Sequence, residues 1–283
     1  MKFKKFLLYI CLLGVLFTGC ASTDPVLNIK KPVTRIVSLA PNLTEIIYAI
    51  GAGDKLAAVT NDCDYPIEAQ RKDKTGPFGT PSLERIVFFK PDLVIYSDVS
   101  DLSVIAQLRS LKIPVVQMNV SNLAELEGTI AYLGDLTGKK GQALQLTLNI
   151  NRRTQAVQKK AGRQKAVTVL MPVWDTPLMA VGKDSYLNEM ITFAGGKNIL
   201  AKETSTFSMA YPTVPDEMII ADNPQMIIFL KKYSNYFQKG ELAKLSAVQN
   251  QKIIFFPNPD LLLRPGPRLI EGLELLYQIL HEK

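Results

Sequence analysis

Imidazole and thiol are almost missing from this chain. Its 283 residues hold one His, His281, and three Cys. Cys11 and Cys20 lie near the N-terminus, so the body keeps Cys63 alone and an internal disulfide is excluded. That inventory cannot assemble a zinc site of ordinary Cys/His composition. Ser-His-Asp hydrolysis is set aside as well, because the only imidazole stands near a C-terminus expected to fray. No Gly-Lys-Ser/Thr triplet occurs, and Gly51-Ala-Gly53 lacks the third Gly of a dinucleotide fingerprint, so no phosphate cradle is read. With no catalytic constellation in view, the chain is not expected to be an enzyme or to need a cofactor or metal of its own.

Long apolar runs are scarce too. Lys2, Lys4 and Lys5 precede one from Phe6 to Thr18, too short to span a bilayer, and it ends at Gly19-Cys20. Residues 1–19 resemble a bacterial lipoprotein signal, in which Cys20 is lipidated and becomes the new N-terminus. Residues 20–32 are short, polar and flanked by Pro, and read as a tether. An extracytoplasmic, lipid-anchored body is expected. The formal charge of +7 falls to +4 once the three leader lysines are removed, a weak case for nucleic acid in an exported chain. Eight basic residues and no acid lie between Lys139 and Lys165. They read as a solvated helix face whose last turns complement the helix dipole, in preference to a strip for an anionic membrane.

What is present is a repeat. Leu43-Thr-Glu-Ile-Ile-Tyr-Ala-Ile-Gly51 with Leu56 returns as Leu187-Asn-Glu-Met-Ile-Thr-Phe-Ala-Gly195 with Leu200, so Glu45 and Gly51 reappear as Glu189 and Gly195. Glu84 to Pro91 with Leu93-Val-Ile95 returns as Glu217 to Pro224 with Met226-Ile-Ile228. A period above 100 residues is a domain, not a solenoid unit. Two similar lobes imply a cleft between them for a small molecule. Between the blocks the first lobe is longer, with Cys63-Asp-Tyr-Pro66 and Gly76-Pro-Phe-Gly79 in the surplus.

Strand patterns at Arg35–Leu39, Leu56–Thr60, Leu93–Tyr96 and Val115–Met118 alternate with helical patterns, which predicts a parallel sheet covered on both faces. Asn42 with Glu45 reads as an N-cap with a reciprocating acid, and Gly51 as the residue that closes the helix. From Thr137 to about Gly162 one long helix is expected, about 33 Å for roughly 22 residues. It can tie the lobes together. Strands follow at Val167–Met171, Leu178–Val181, Met226–Leu230 and Ile253–Phe256, and a last helix has Pro267 in its first turn. The fold class is therefore α/β, with two lobes of mainly parallel sheet flanked by helices and joined by a single long helix. The lobes are placed at 33–137 and 163–283, with the bridging helix at 138–162.

Phe78 lies six residues before Glu84, and Tyr211 six before Glu217. One aromatic per lobe would oppose the other across the cleft and suit a large, flat, partly apolar ligand. Tyr65, Trp174 and Phe207 are further loop aromatics nearby. Glu84 and Glu217 open short helices at equivalent places, as a two-fold partner offering Arg residues would require. Arg264-Pro-Gly-Pro-Arg268 is a stiff loop whose Arg side chains either reach a ligand or cap neighbouring carbonyls.

Arg35-Ile-Val-Ser-Leu-Ala-Pro-Asn-Leu-Thr-Glu45, Cys63-Asp-Tyr-Pro66, Leu83-Glu-Arg-Ile86, Lys90-Pro-Asp-Leu-Val-Ile95 and Gly195-Gly-Lys-Asn-Ile199 resemble the substrate-binding proteins of iron-siderophore, haem and vitamin B12 ABC importers. The resemblance is strongest to vitamin B12-binding members. It implies that Tyr65, Phe78 and Tyr211 line the pocket, and that Glu84 and Glu217 dock on Arg residues of a dimeric permease. Phe78 and Tyr211 stand where those members carry Trp, so cobalamin, another corrinoid, haem and a ferric siderophore all stay open. A corrinoid would carry its own cobalt. An exported enzyme acting on a cleft-bound ligand is the alternative of another class.

Overall fold

Leu93-Val94-Ile95-Tyr96 is buried along its whole length, as a strand covered on both faces must be. Alternate side chains go to opposite cores: Leu93 and Ile95 to one, Val94 and Tyr96 to another. The period of two is the strand's own geometry. The computed structural model describes residue 29 and residues 31–201, 209–231 and 235–282.

In the first half, β1 (Ile36–Ser38), α1 (Pro41–Ala49), β2 (Leu56–Val59), α2 (Ile67–Gln70), β3 (Asp73–Lys74), α3 (Leu83–Phe88), β4 (Leu93–Tyr96), α4 (Leu102–Ser110) and β5 (Val115–Gln117) follow one another. They give a sheet of order β3-β2-β1-β4-β5, parallel throughout. Helix α5 (Leu123–Thr137) then reaches Gly138, whose φ of 72° lets it end in the left-handed region, and α6 (Lys140–Ala161) sets off again. The single helix expected from Thr137 onward is thus preceded by a second helix, α5, that the apolar pattern had not separated.

The second half holds β6 (Val167–Leu170), the antiparallel hairpin β7 (Pro172–Asp175) and β8 (Leu178–Ala180), α7 (Tyr186–Phe193), β9 (Gly196–Asn198), α8 (Asp216–Asp222), β10 (Met226–Phe229), α9 (Ser246–Gln249), β11 (Ile253–Phe255), α10 (Asp260–Leu263) and α11 (Leu269–His281). Its main sheet has the order β11-β10-β6-β9, again parallel. Pro267 precedes the N-cap Arg268 of α11 instead of entering its first turn. The last turn is not frayed at His281, whose Nε2 lies 2.9 Å from the Ala194 carbonyl oxygen.

The repeat extends to backbone detail. Gly51 and Gly195 close equivalent helices at φ 71° and 83°, and Lys90 and Asn223 adopt φ 45° and 40° just before the paired prolines. Asp92 receives Thr34 N–H at 2.7 Å and Arg35 N–H at 3.0 Å. Its counterpart Gln225 receives Thr168 N–H at 3.0 Å.

One apolar cluster runs through both halves. It takes Ile36 and Ile95 from the first sheet, Val169, Met226 and Ile228 from the second, and Ile150 and Val157 from α6. The basic residues of α6 are partly used in packing. Arg153 makes a bidentate pair with Glu274 at 2.8 and 2.6 Å, and Lys140 reaches Asp135 at 2.7 Å.

Glu45 does not cap α1. The N-cap is Ala40, which makes no side-chain cap bond, and Asn42 lies inside the helix. Helix α1 packs at the joint with the second half, and Pro41 fills its opening position, so no reciprocal box forms. Instead Glu45, 2% exposed, takes a bidentate pair from Arg268 at 2.8 and 2.6 Å. Burial pushes its carboxyl above the ordinary range, against the pull of Arg268 and Arg264. Arg264 lies 3.8 Å from Glu45, 3.0 Å from Asp260, and pairs with Asp64. Asn42 Nδ2 donates to the Pro265 carbonyl at 3.2 Å. Gly266 allows the approach, since a Cβ there would sit 3.3 Å from the Asn42 carbonyl oxygen. Both arginines therefore bind carboxylates across the joint, a role that neither expected alternative named. A second tie uses the repeat partner of Glu45. Glu189 on α7 accepts Leu123 N–H, at the start of α5, at 2.8 Å.

Two predictions follow from these ties. Removing one partner of a buried pair leaves the other charge stranded, so Arg268→Met or Glu45→Gln should each destabilise the chain by about 3–5 kcal/mol. The double variant should lose much less than the sum, measured by urea unfolding of all three variants. At the start of the body, Asp135 binds Lys31 and Lys140, and these hydrogen bonds hold its carboxyl down at about 2. A lowered acid stabilises the fold above the ordinary carboxylate range and loses that contribution as pH falls through about 2. Asp135→Asn should therefore be less stable than the parent at pH 6, and the two should converge near pH 2 in denaturant titrations.

Candidate ligand-binding cleft

Ligands of open parallel sheets sit outside the carboxyl ends of the strands, where loops diverge and backbone groups are left unpaired. Both sheets obey this. The first half sends Pro41 and Asn42 after β1, Asp62 after β2, Ser97 and Asp98 after β4, and Met118 to Ser121 after β5 into one cavity of about 700 Å³. The second half answers with Asp184 and Ser185 before α7, Tyr186 at its first position, Tyr211, Lys231 after β10, and Asp260 and Arg264 around α10.

Phe78 and Tyr211 are both in the wall, one from each half, and both are half-buried. Phe78 is held by its own backbone, whose N–H donates to Asp62 Oδ2 at 2.8 Å. Behind Tyr211 stands Tyr186, the repeat counterpart of Asn42. Its hydroxyl donates to the Leu262 carbonyl at 2.7 Å. Burial, with Tyr211 beside it, pushes this phenol well above its usual pKa. Arg264 is in the wall while paired with acids, and its hydrogen bond holds the Asp64 carboxyl below its usual range.

Other expected site residues lie elsewhere. Tyr65 is outside the cavity wall and 44% exposed. The Arg268 guanidinium stacks 3.7 Å from its ring centroid, so Tyr65 covers the ionic joint. Trp174 is on β7, 52% exposed and also outside the wall. It meets the cleft through Lys231, whose Nζ is 5.4 Å from its ring. Phe207 and Cys20 lie outside the described residues. Glu84 and Glu217 are exposed in the first turns of α3 and α8, away from the cavity lining.

Ser97, Asp98, Asn119, Asp184, Tyr186 and Lys231 line the cleft without having been singled out from sequence. The signal was available for those of the first half, which directly follow the strand patterns at Leu93–Tyr96 and Val115–Met118. Tyr186 was marked only by its place one residue before the repeat block. Among the described residues, no group of three or more His, Cys, Asp and Glu side chains is arranged to hold a metal ion. The wall combines aromatic rings with polar loops.

Relatives share the architecture. The chain is 31% identical over 264 residues, 90% of its length and 82% of the other's, to the uncharacterized ABC transporter substrate-binding lipoprotein YvrC of Bacillus subtilis (strain 168). The crystal structure of the periplasmic vitamin B12 binding protein BtuF of Vibrio cholerae is 28% identical, with a TM-score of 0.75 over 88% of this chain and 97% of that one. A possible iron-binding (periplasmic solute-binding) protein of Staphylococcus epidermidis ATCC 12228 is also 28% identical, with a TM-score of 0.79 over 89% of this chain and 100% of that one. Residues 36–259 match the Periplasmic binding protein family, and the chain, with its twin parallel sheets and the cleft at their carboxyl ends, belongs to that family.

Proposed function

We propose that this protein is the extracytoplasmic binding component of an ABC importer, and that it captures a corrinoid, cobalamin foremost, in the cleft. The observation that carries this reading is the pair Phe78 and Tyr211, repeat-equivalent rings from opposite halves in one cavity of about 700 Å³. A flat macrocycle buries both faces against such walls, and burying an aromatic side chain contributes about 1.5–3 kcal/mol. Arg264, held by its acids, would shape the rim of the cleft. Phe207 would add a further ligand-side aromatic, while Tyr65 steadies Arg268 and Trp174 holds Lys231 from outside the wall.

Delivery would use Glu84 and Glu217, exposed on matching tips. Each would meet an Arg of a permease dimer, and the attraction would weaken with salt. Cys20 would carry the lipid that keeps the body at the membrane. The vitamin B12-binding relative supports the corrinoid. The possible iron-binding relative keeps haem and ferric siderophores as rivals.

Titration calorimetry with cobalamin, haem and a hydroxamate siderophore separates these. Cobalamin should release heat, and Phe78→Ala or Tyr211→Ala should weaken it by roughly tenfold or more. Heat from haem or the siderophore alone would move the assignment to that ligand. In cells, Glu84→Lys with Glu217→Lys should abolish uptake while the purified variant binds as before. Undiminished uptake would reject the docking role.

A further inference from the structure

Phe88 is 76% exposed, more than any other large apolar side chain among the described residues. The core positions of its helix are filled by Ile86 and by Phe89 just beyond it, so packing does not call for a ring at Phe88. One exposed ring is ordinary on a protein surface. The setting of this one is not. Residues three and four apart share a helix face, so Val87 and Phe88 lie on the face of α3 that carries Glu84, while Ile86 is buried. Helical side chains lean towards the N-terminus, which sets both over the Glu84 turn.

The second half repeats the arrangement. On α8, Glu217, Ile220 and Ala221 are exposed and Ile219 is buried, matching Glu84, Val87, Phe88 and Ile86 in order. Val87 and Ile220 are 36% and 38% exposed. Each acid is thus accompanied by an exposed β-branched residue, and only the first half adds a ring. Where these faces stand decides what can cover them. Both helices set out from the loops that place Phe78 and Tyr211 in the cavity wall. They run down to Asp92 and Gln225, which bind backbone N–H groups at the amino ends of β1 and β6. The acids therefore stand at the end where the cleft opens, one on each half. A body touching both lies over the mouth, and one that fits two equivalent faces offers the same surface twice.

We propose that each tip docks through its acid and its apolar neighbours together, on a two-fold permease that presents an Arg beside an apolar socket on each subunit. Phe88 makes the first tip the main anchor. The inference rests on the docking role proposed for Glu84 and Glu217, and adds the apolar contact and the inequality of the tips. The acids steer the encounter and are screened by salt. A ring buried in the middle of a contact governs how long the complex lasts.

The test follows cobalamin uptake by cells carrying the full chain and their own importer. Phe88→Ser should cut uptake roughly tenfold or more. Purified Phe88→Ser should keep the parent's unfolding midpoint and calorimetric cobalamin affinity, which assigns the loss to docking. Ile220→Ser should cost less, and an equal or larger loss overturns the inequality of the tips. Moving the ring, Phe88→Ser with Ala221→Phe, should restore uptake because the two sockets are alike. Uptake unchanged by Phe88→Ser, or not restored by the moved ring, overturns the inference. If Glu84→Lys with Glu217→Lys still abolishes uptake in that case, the docking reading stands without it. If the cells take up no cobalamin, photo-crosslinking from p-benzoylphenylalanine at position 88 decides. Attachment to the importer's membrane subunit, identified by mass spectrometry of the adduct, supports the inference. Attachment to a second copy of this chain, or to neither, overturns it.

Discussion

A carboxylate buried to 2% exposure and gripped by two nitrogens of a guanidinium is the contact on which the geometry of this protein turns. Glu45 belongs to the first half and Arg268 to the second. Burying such a pair contributes little net stability, because the desolvation of both ions roughly cancels their attraction. What it contributes is position. A bidentate pair admits one orientation, so α1 is fixed against the start of α11. Arg264, Asp64 and the Asn42–Pro265 bond lie in the same joint. Arg264 and Asn42 also line the cavity, so the lock between halves and the wall of the cleft are partly the same atoms.

The equivalent acid, Glu189, makes the converse crossing to the start of α5. Each half thus holds the first turn of the other's terminal helix, where unpaired N–H groups or an N-cap Arg are available to a carboxylate. With the apolar cluster continuous through both sheets and α6, the halves are tied at two polar points and along one apolar seam. A cleft walled in this way is largely set before a ligand enters, which lowers the ordering cost of binding.

The twin parallel sheets are legible because the repeat and the alternation of strand and helix patterns are local signals; the eight strands read from the pattern end within a residue or two of those observed, while the short β3, β7 and β9 carry no such pattern. The opposed rings were legible too, since Phe78 and Tyr211 hold the same place relative to Glu84 and Glu217. The role of Glu45 was not. An acid three residues after Asn42 looks like a reciprocal cap, and only the fold brings Arg268 to it from 223 residues away. The repeat did pair Glu45 with Glu189, but pairing says that two residues share a place, not what they touch. Tyr65 illustrates the same limit: its motif predicts a pocket residue, while its ring is spent on Arg268. Ser97 and Asp98 carry no motif at all. Their place in the wall comes from standing where a strand stops.

The start of the body has a mechanical corollary. Val33 N–H is bonded to the Leu136 carbonyl at 2.8 Å, and Lys31 is fastened to Asp135. The chain therefore enters at the amino ends of the parallel strands, whereas the cargo space opens at their opposite ends. A leash on Cys20 would hold the protein with its mouth turned away from the point of attachment. To offer that mouth to a permease in the same membrane, a body so attached would have to roll over.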